Sequence, residues 1–146
     1  KVTVVNMPKK IGEGISVEDL ATVACKQRDC DLLLLRTGFY KYRKESVYTK
    51  NNPWLTQAAA RYLRTKFIKL RAIGIDAISI ASFANLEAGG ESHRIMLGAG
   101  AFKSSPVMII EDLNLAHVPA RIKRVFAIPL FVSQVDSMPC TAFIEG

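Results

Sequence analysis

The chain has 146 residues, 49% of them hydrophobic, with a formal net charge of +7. That length and apolar content suit one globular domain, read here as spanning residues 1–146, with enough apolar side chain to build a core. The longest apolar runs fall far short of a membrane span, so no crossing of a bilayer is expected. Three cysteines, Cys25, Cys30 and Cys140, show no CxxC spacing. They support neither a disulfide framework nor a thiolate zinc site and suggest reduced thiols in a cytoplasmic protein, with Cys25 packed on a helix face.

In chain order, Val2 to Val5 is β-branched and reads as a strand, followed by a loop over Lys9-Lys10-Ile11-Gly12-Glu13-Gly14. Lys1-Val2-Thr3 carries neither an initiator Met nor a signal-peptide core and reads as a cut end. Ser16 has the character of a helix N-cap, with Asp19 three residues on, and Val17, Leu20, Ala21 and Ala24 repeat at helical spacing in a helix ending near Arg28. Leu32 to Arg36 opens with four consecutive leucines, the mark of a strand covered on both faces, and Thr37-Gly38 closes it. Phe39 to Pro53 is polar, aromatic and basic, ending in Asn51-Asn52-Pro53, and reads as a long loop able to lie over a site.

Thr56 is the next N-cap, for a helix running to about Phe67 with Ala58, Ala59, Tyr62 and Leu63 as its inward stripe. Leu70 to Ile75 is a strand, Glu91 to Leu97 a short helix, and Val107 to Glu111, Val125 to Leu130 and Thr141 to Glu145 are strands. This alternation places the chain in the mixed α/β class.

Ten cations between Arg36 and Arg71 face one acid, Glu45. Such a block can attract polyanions, but no helix-turn-helix, ribonucleoprotein-type aromatic pattern or phosphate loop accompanies it. A solvated basic face is the expectation, and nucleic-acid binding the lesser alternative.

The chain has two histidines. His93 lies in Ser92-His93-Arg94-Ile95-Met96-Leu97-Gly98 and Glu111 in Val107-Met108-Ile109-Ile110-Glu111-Asp112-Leu113. A neutral imidazole nitrogen and a carboxylate oxygen both suit zinc or manganese. The alternatives are a helix-borne His93 facing solvent or a neighbouring carbonyl, and a Glu111 satisfied by a salt bridge such as one to Arg94. His117, just before Val118-Pro119, reads as a loop or surface histidine.

Leu32-Leu33-Leu34-Leu35-Arg36-Thr37-Gly38, Ala58-Ala59-Ala60-Arg61-Tyr62-Leu63, Gly74-Ile75-Asp76-Ala77-Ile78-Ser79, His93-Arg94-Ile95-Met96-Leu97-Gly98-Ala99-Gly100 and Ile109-Ile110-Glu111-Asp112-Leu113 stand in an order that resembles the cyclase family, which includes bacterial kynurenine formamidase. The resemblance runs from about Ile15 to the carboxyl end. It implies a swivelling β/β/α fold, a homo-oligomer, and in active members a zinc or manganese ion used to hydrolyse an amide or similar bond. The formamidase (arylformamidase) branch serves tryptophan catabolism.

Those members hold the metal partly through His-x-Gly-Thr-His-x-Asp-x-Pro-x-His, which this sequence does not contain. The resemblance therefore implies a truncated member comprising the later two-thirds of the family's length. His93 and Glu111 would then be a remnant metal site, the catalytic residues are unknown, and hydrolysis is not expected. A non-catalytic module binding a small ligand or a protein is the alternative. Two departures stand out: Ala81 occupies a place that is often acidic, and the His93-to-Glu111 interval is longer than usual, with Ala101 to Pro106 expected to loop out.

Overall fold

The computed structural model describes residues 1–23, 25–99 and 105–146, apart from the side chains of Cys25 and Lys26. The expected placements of Ala24, of the Cys25 side chain and of the insert 101–104 fall outside the described residues.

The leucine run forms the strand β3 (Leu32–Arg36), and all four leucines are buried. It pairs in parallel with β1 (Val2–Asn6) on one side and β5 (Ala72–Ile75) on the other, and β6 (Met108–Ile110) adds to β5. The resulting four-stranded sheet has the order β1-β3-β5-β6.

Strand alternation splits the leucines between two cores, because successive side chains leave opposite faces. Leu33 and Leu35 join Ile73 and Ile75 against Leu20 of α1 (Val17–Ala21), Ala59, Ala60 and Leu63 of α4 (Gln57–Lys66), and Ile95 and Met96 of α5 (Leu86–Met96). Leu32, Leu34 and Ile110 pack instead under Leu113, Leu115, Val118, Ile122 and Val125, so among the described residues that face is covered by the chain after β6, up to the start of the strand at Arg124–Pro129, and by no helix. Gly74 of β5 also lies there, and a Cβ on it would sit 2.6 Å from Leu34 Cδ2 and 2.7 Å from Leu113 Cδ1.

Both expected N-caps are present. Ser16 and Asp19 form a reciprocal capping box, with Asp19 N donating to Ser16 Oγ at 3.3 Å and Ser16 N to Asp19 Oδ2 at 2.7 Å. Thr56 Oγ1 accepts from Ala59 N at 3.2 Å. The helix expected up to Arg28 is two pieces, α1 and α2 (Cys25–Arg28). The expected long loop instead holds a 3-10 turn at Phe39–Tyr42 and the helix α3 (Val47–Lys50), seated by Phe39 and Tyr48, both buried, with rings stacked 5.8 Å apart. Two strands went unforeseen, β2 (Gly14–Ile15) and β4 (Trp54–Leu55), which pair in parallel.

An antiparallel hairpin of β7 (Arg124–Pro129) and β8 (Cys140–Glu145) ends the chain. Its apolar side chains are largely exposed, including Ile128, Leu130, Phe131 and Phe143. No helix among the described residues is long and apolar enough to cross a membrane.

Overpacking at a closed site costs about 1–3 kcal/mol. Gly74→Ala is therefore expected to lower the urea midpoint with little change in slope, whereas the same change at Gly90, whose Cβ would meet nothing within 4 Å, has no steric cost. Equilibrium denaturation of the two variants checks this.

Candidate metal centre

Parallel strands β3, β5 and β6 all end at one edge of the sheet, and the polar groups that follow them gather there. In open α/β sheets this carboxyl edge is where ligands bind. Asp76, just past β5, is fully buried. Its carboxylate accepts Thr37 N at 2.8 Å, Thr37 Oγ1 at 2.6 Å and Gly38 N at 2.9 Å. Three donors repay the burial of this carboxylate and fix the turn after β3, where Gly38 takes a positive φ of 77°. Asp76 stands in the stretch 74–79 with no role expected of it from sequence; its place one residue beyond an apolar strand was the available signal.

Glu111 follows β6 directly and is not part of the strand, contrary to the expected Val107–Glu111 boundary. Its Oε1 accepts Ser79 Oγ at 2.8 Å and Ile80 N at 2.7 Å. His93 comes to the same oxygen from α5, with Nε2 at 3.2 Å. Both side chains are 30% exposed, half-buried rather than enclosed. The structure thus brings together the two residues singled out in the sequence, across 18 positions of chain.

The salt bridge considered for Glu111 with Arg94 is not formed. Neighbouring residues on a helix point about 100° apart, from 3.6 residues per turn, so the rotation that turns His93 inward turns Arg94 out. Arg94 instead lies 3.6 Å from Glu91. α5 also begins earlier than expected, at Leu86, and includes the glycine pair at 89 and 90. Gly89 is needed: a Cβ there would fall 2.4 Å from that of Ala81, so its absence lets α5 lie against the Ser79–Ser82 turn.

The hydrogen bonds define the protonation of the pair. His93 Nδ1 lies 3.1 Å from the carbonyl oxygen of Gly89, which can only accept, so Nδ1 carries a hydrogen. A neutral ring then presents a lone pair at Nε2, facing a carboxylate oxygen. Either a second proton on the ring or a cation satisfies both atoms. A histidine that ligates a metal commonly donates its other N–H to a carbonyl in this way, so the two residues fit a divalent ion chemically. They do not make a full set, because no group of three or more His, Cys, Asp or Glu able to hold a metal occurs among the described residues.

The hydrogen bond to Glu111 raises the His93 pKa above its ordinary 6.5, against the effect of burial and with help from the Gly89 carbonyl. For Glu111, burial works to raise the pKa, but the bonds from His93, Ile80 and Ser79 outweigh it, and the net shift is below 4.5. A cavity of about 510 Å³ adjoins Glu111, bounded by Arg43, Asp112, Ile109, Met138 and Ala142.

The remaining sequence candidates lie elsewhere. His117 is exposed in the segment after β6, as expected. Cys30 is a buried free thiol and Cys140 an exposed one, with burial pushing the Cys30 pKa up. The basic block is dispersed: Arg36 donates to the Val118 carbonyl, Arg64 to that of Ser105, and Lys69 pairs with Asp29.

The arrangement is a mixed α/β fold, a parallel sheet with helices, and the His93 and Glu111 pair lies at its carboxyl edge. The family model described as "Putative cyclase" matches residues 1–82, more than half of the chain, and the chain belongs to that family. His93 and Glu111 lie beyond the matched residues.

An uncharacterized protein of Haemophilus influenzae is 34% identical over 76 residues, covering 51% of this chain and 54% of its own length. One of Methanocaldococcus jannaschii is 29% identical over 121 residues, 79% of this chain and 55% of its own length. The chain therefore spans little more than half the length of these relatives.

Among solved structures, a potential metal-dependent hydrolase with cyclase activity aligns with a TM-score of 0.71 at 23% identity, covering 98% of this chain and 63% of its own. An isatin hydrolase bound to the product analogue thioisatinate aligns with a TM-score of 0.73 at 19% identity, covering 97% of this chain and 57% of its own. At these identities the likeness is one of fold.

The opposed shifts give the pair a pH window. Glu111 contributes its full stabilisation above its ordinary 4.5 and loses it as pH falls through its depressed value; His93 contributes fully below 6.5 and loses its share as pH rises through its raised one. In the metal-free protein, an NMR titration should place the His93 midpoint above 6.5, and Glu111→Gln should lower it. An unchanged midpoint in that variant would show that Glu111 is not the cause.

Proposed function

We propose that the chain carries part of the metal centre of a cyclase-family hydrolase, with His93 and Glu111 as two ligands of a zinc or manganese ion. The substrate is an amide or comparable C–N bond, of the kind cleaved by kynurenine formamidases. The observation that carries this reading is the His93 geometry, Nδ1 committed to the Gly89 carbonyl and Nε2 aimed at Glu111 Oε1. In such enzymes a divalent ion supplies Lewis-acid polarisation of a carbonyl and activation of water near neutral pH.

This chain's own residues prepare that place. Ser79 Oγ and Ile80 N hold the Glu111 carboxylate in its ionised form. Gly89 fixes the His93 ring, and Ile109, Met138 and Ala142 are among the residues that line the cavity next to Glu111. A catalytic zinc ordinarily has three protein ligands and an open position. With two donors in this cluster, the chain as given holds metal weakly and does not turn over, and further ligands are required for hydrolysis. The reading includes a cytoplasmic location, which the free thiols of Cys30 and Cys140 support.

Metal analysis before and after dialysis, combined with an N-formylkynurenine hydrolysis assay, tests the proposal. Zinc or manganese should bind reversibly, leave on dialysis and bind less to His93→Ala, with no turnover. Tight stoichiometric metal with turnover would overturn the incompleteness, and identical metal binding in wild type and His93→Ala would overturn the assignment of the pair.

A second reading, a non-catalytic homo-oligomeric module binding a small ligand or a protein, is favoured by the exposed apolar side chains of the hairpin. Phe131 is 87% exposed and Leu130 64%. Contiguous exposed apolar surface is commonly covered by another copy. Light scattering should give a mass above that of one chain, and Leu130→Asp with Phe131→Asp should reduce it; a wild-type monomer would exclude the oligomer.

A further inference from the structure

The segment between Phe39 and Leu55 contributes no ligand to the pair, yet it holds Glu111 from both sides. On one side is Asp112, the next residue, whose φ of 58° lies in the left-handed region that L side chains rarely adopt. Tyr48 Oη donates to Asp112 Oδ1 at 2.5 Å. Arg43 Nη2 lies 2.8 Å from the same oxygen and donates to the Asp112 carbonyl at 2.6 Å. Immediately beyond, Asp112 N and Leu113 N bond the carbonyls of Ala77 and Ile75, at 2.8 and 3.0 Å. The backbone at Glu111 therefore leaves the sheet in one fixed direction.

On the other side is the turn whose Ser79 Oγ and Ile80 N bond the Glu111 carboxylate. Asn52, 1% exposed, donates from Nδ2 to the carbonyls of Ser79 and Ala81, each at 2.8 Å. Each end of the Glu111 side chain is thus referred to the same short stretch of chain: its backbone through Tyr48 and Arg43, its carboxylate through Asn52.

We propose that Tyr48, Arg43 and Asn52 are positioning residues for Glu111, setting the carboxylate's direction toward His93 and hence the affinity of the pair for a divalent cation. The metal part of this rests on the function proposed above; the positioning of Glu111 against His93 does not. The Tyr48 ring is anchored independently, stacked on Phe39, so its hydroxyl is free to serve Asp112. Burial and the neighbouring Asp112 carboxylate push the phenol well above its ordinary value, and it remains a hydrogen-bond donor at any working pH.

Tyr48→Phe deletes this hydroxyl and keeps the ring. Two readouts are followed, with thermal unfolding as the check on folding. In metal-free protein at a fixed pH below the wild-type His93 midpoint, where the ring carries both protons, the His93 Nε2–H resonance, protected by Glu111, is seen in wild type and should be lost to exchange in Tyr48→Phe. With Mn²⁺ alone as the probe, the dissociation constant should rise by about tenfold, as for other residues that orient a ligand.

Two changes at Asp112 separate the clamp from backbone preference. Asp112→Asn keeps an acceptor for Tyr48 and should retain the resonance and the affinity. Asp112→Gly tolerates the positive φ and removes the carboxylate that Tyr48 and Arg43 hold, leaving only the Arg43 bond to the backbone carbonyl, and should lose both. Retention of the resonance in folded Tyr48→Phe and Asp112→Gly would overturn the proposal. If wild type binds no Mn²⁺ but the resonance behaves as stated, the metal assignment fails and the positioning role stands.

Discussion

The parallel register of β3, β5 and β6 is the constraint on which the rest of the molecule depends. Leu34 sits opposite Gly74, and Gly74 opposite Ile110. Parallel strands in this register end together, so whatever follows each strand is delivered to a common edge. Thr37, Asp76 and Glu111 arrive there from widely separated parts of the sequence. The buried Asp76 carboxylate secures the arrangement, since it ties the turn after β3 to the end of β5 and has no water to replace those donors.

Helix α5 then brings chemistry to this edge. Its approach depends on a missing side chain at Gly89, and the reward is that the carbonyl of Gly89 and the imidazole of His93, one turn apart, fall beside Glu111. The paired shifts in His93 and Glu111 express the same fact electrostatically: each group favours its charged form because the other is near. Were a divalent ion held between them as proposed, it would take the place of the second ring proton, and proton and metal would compete for one position.

Much of this was legible in the sequence, for local reasons. Four leucines in a row announced a strand covered on both faces, and Ser16 and Thr56 announced helix starts whose caps need only residues three positions apart. The His93 and Glu111 pair was legible from the order of motifs resembling the cyclase family rather than from the residues alone. What escaped depended on distant partners. The helical turns between Phe39 and Lys50 are seated by buried rings and by a hydrogen bond across 64 positions, from Tyr48 to Asp112. The early start of α5 was hidden by glycines, which disfavour helix locally and are retained for the close contact they permit.

The sheet ends on β1 at one side and β6 at the other, each hydrogen-bonded to one neighbour among the described strands. β1 reads Val-Thr-Val-Val-Asn, with neither proline nor a charged residue among its five positions. A β-branched strand hydrogen-bonded on one side is the kind of edge on which another strand can add. Pairing of a further strand along β1 would satisfy that row of amides, and it is the geometry by which such a sheet widens.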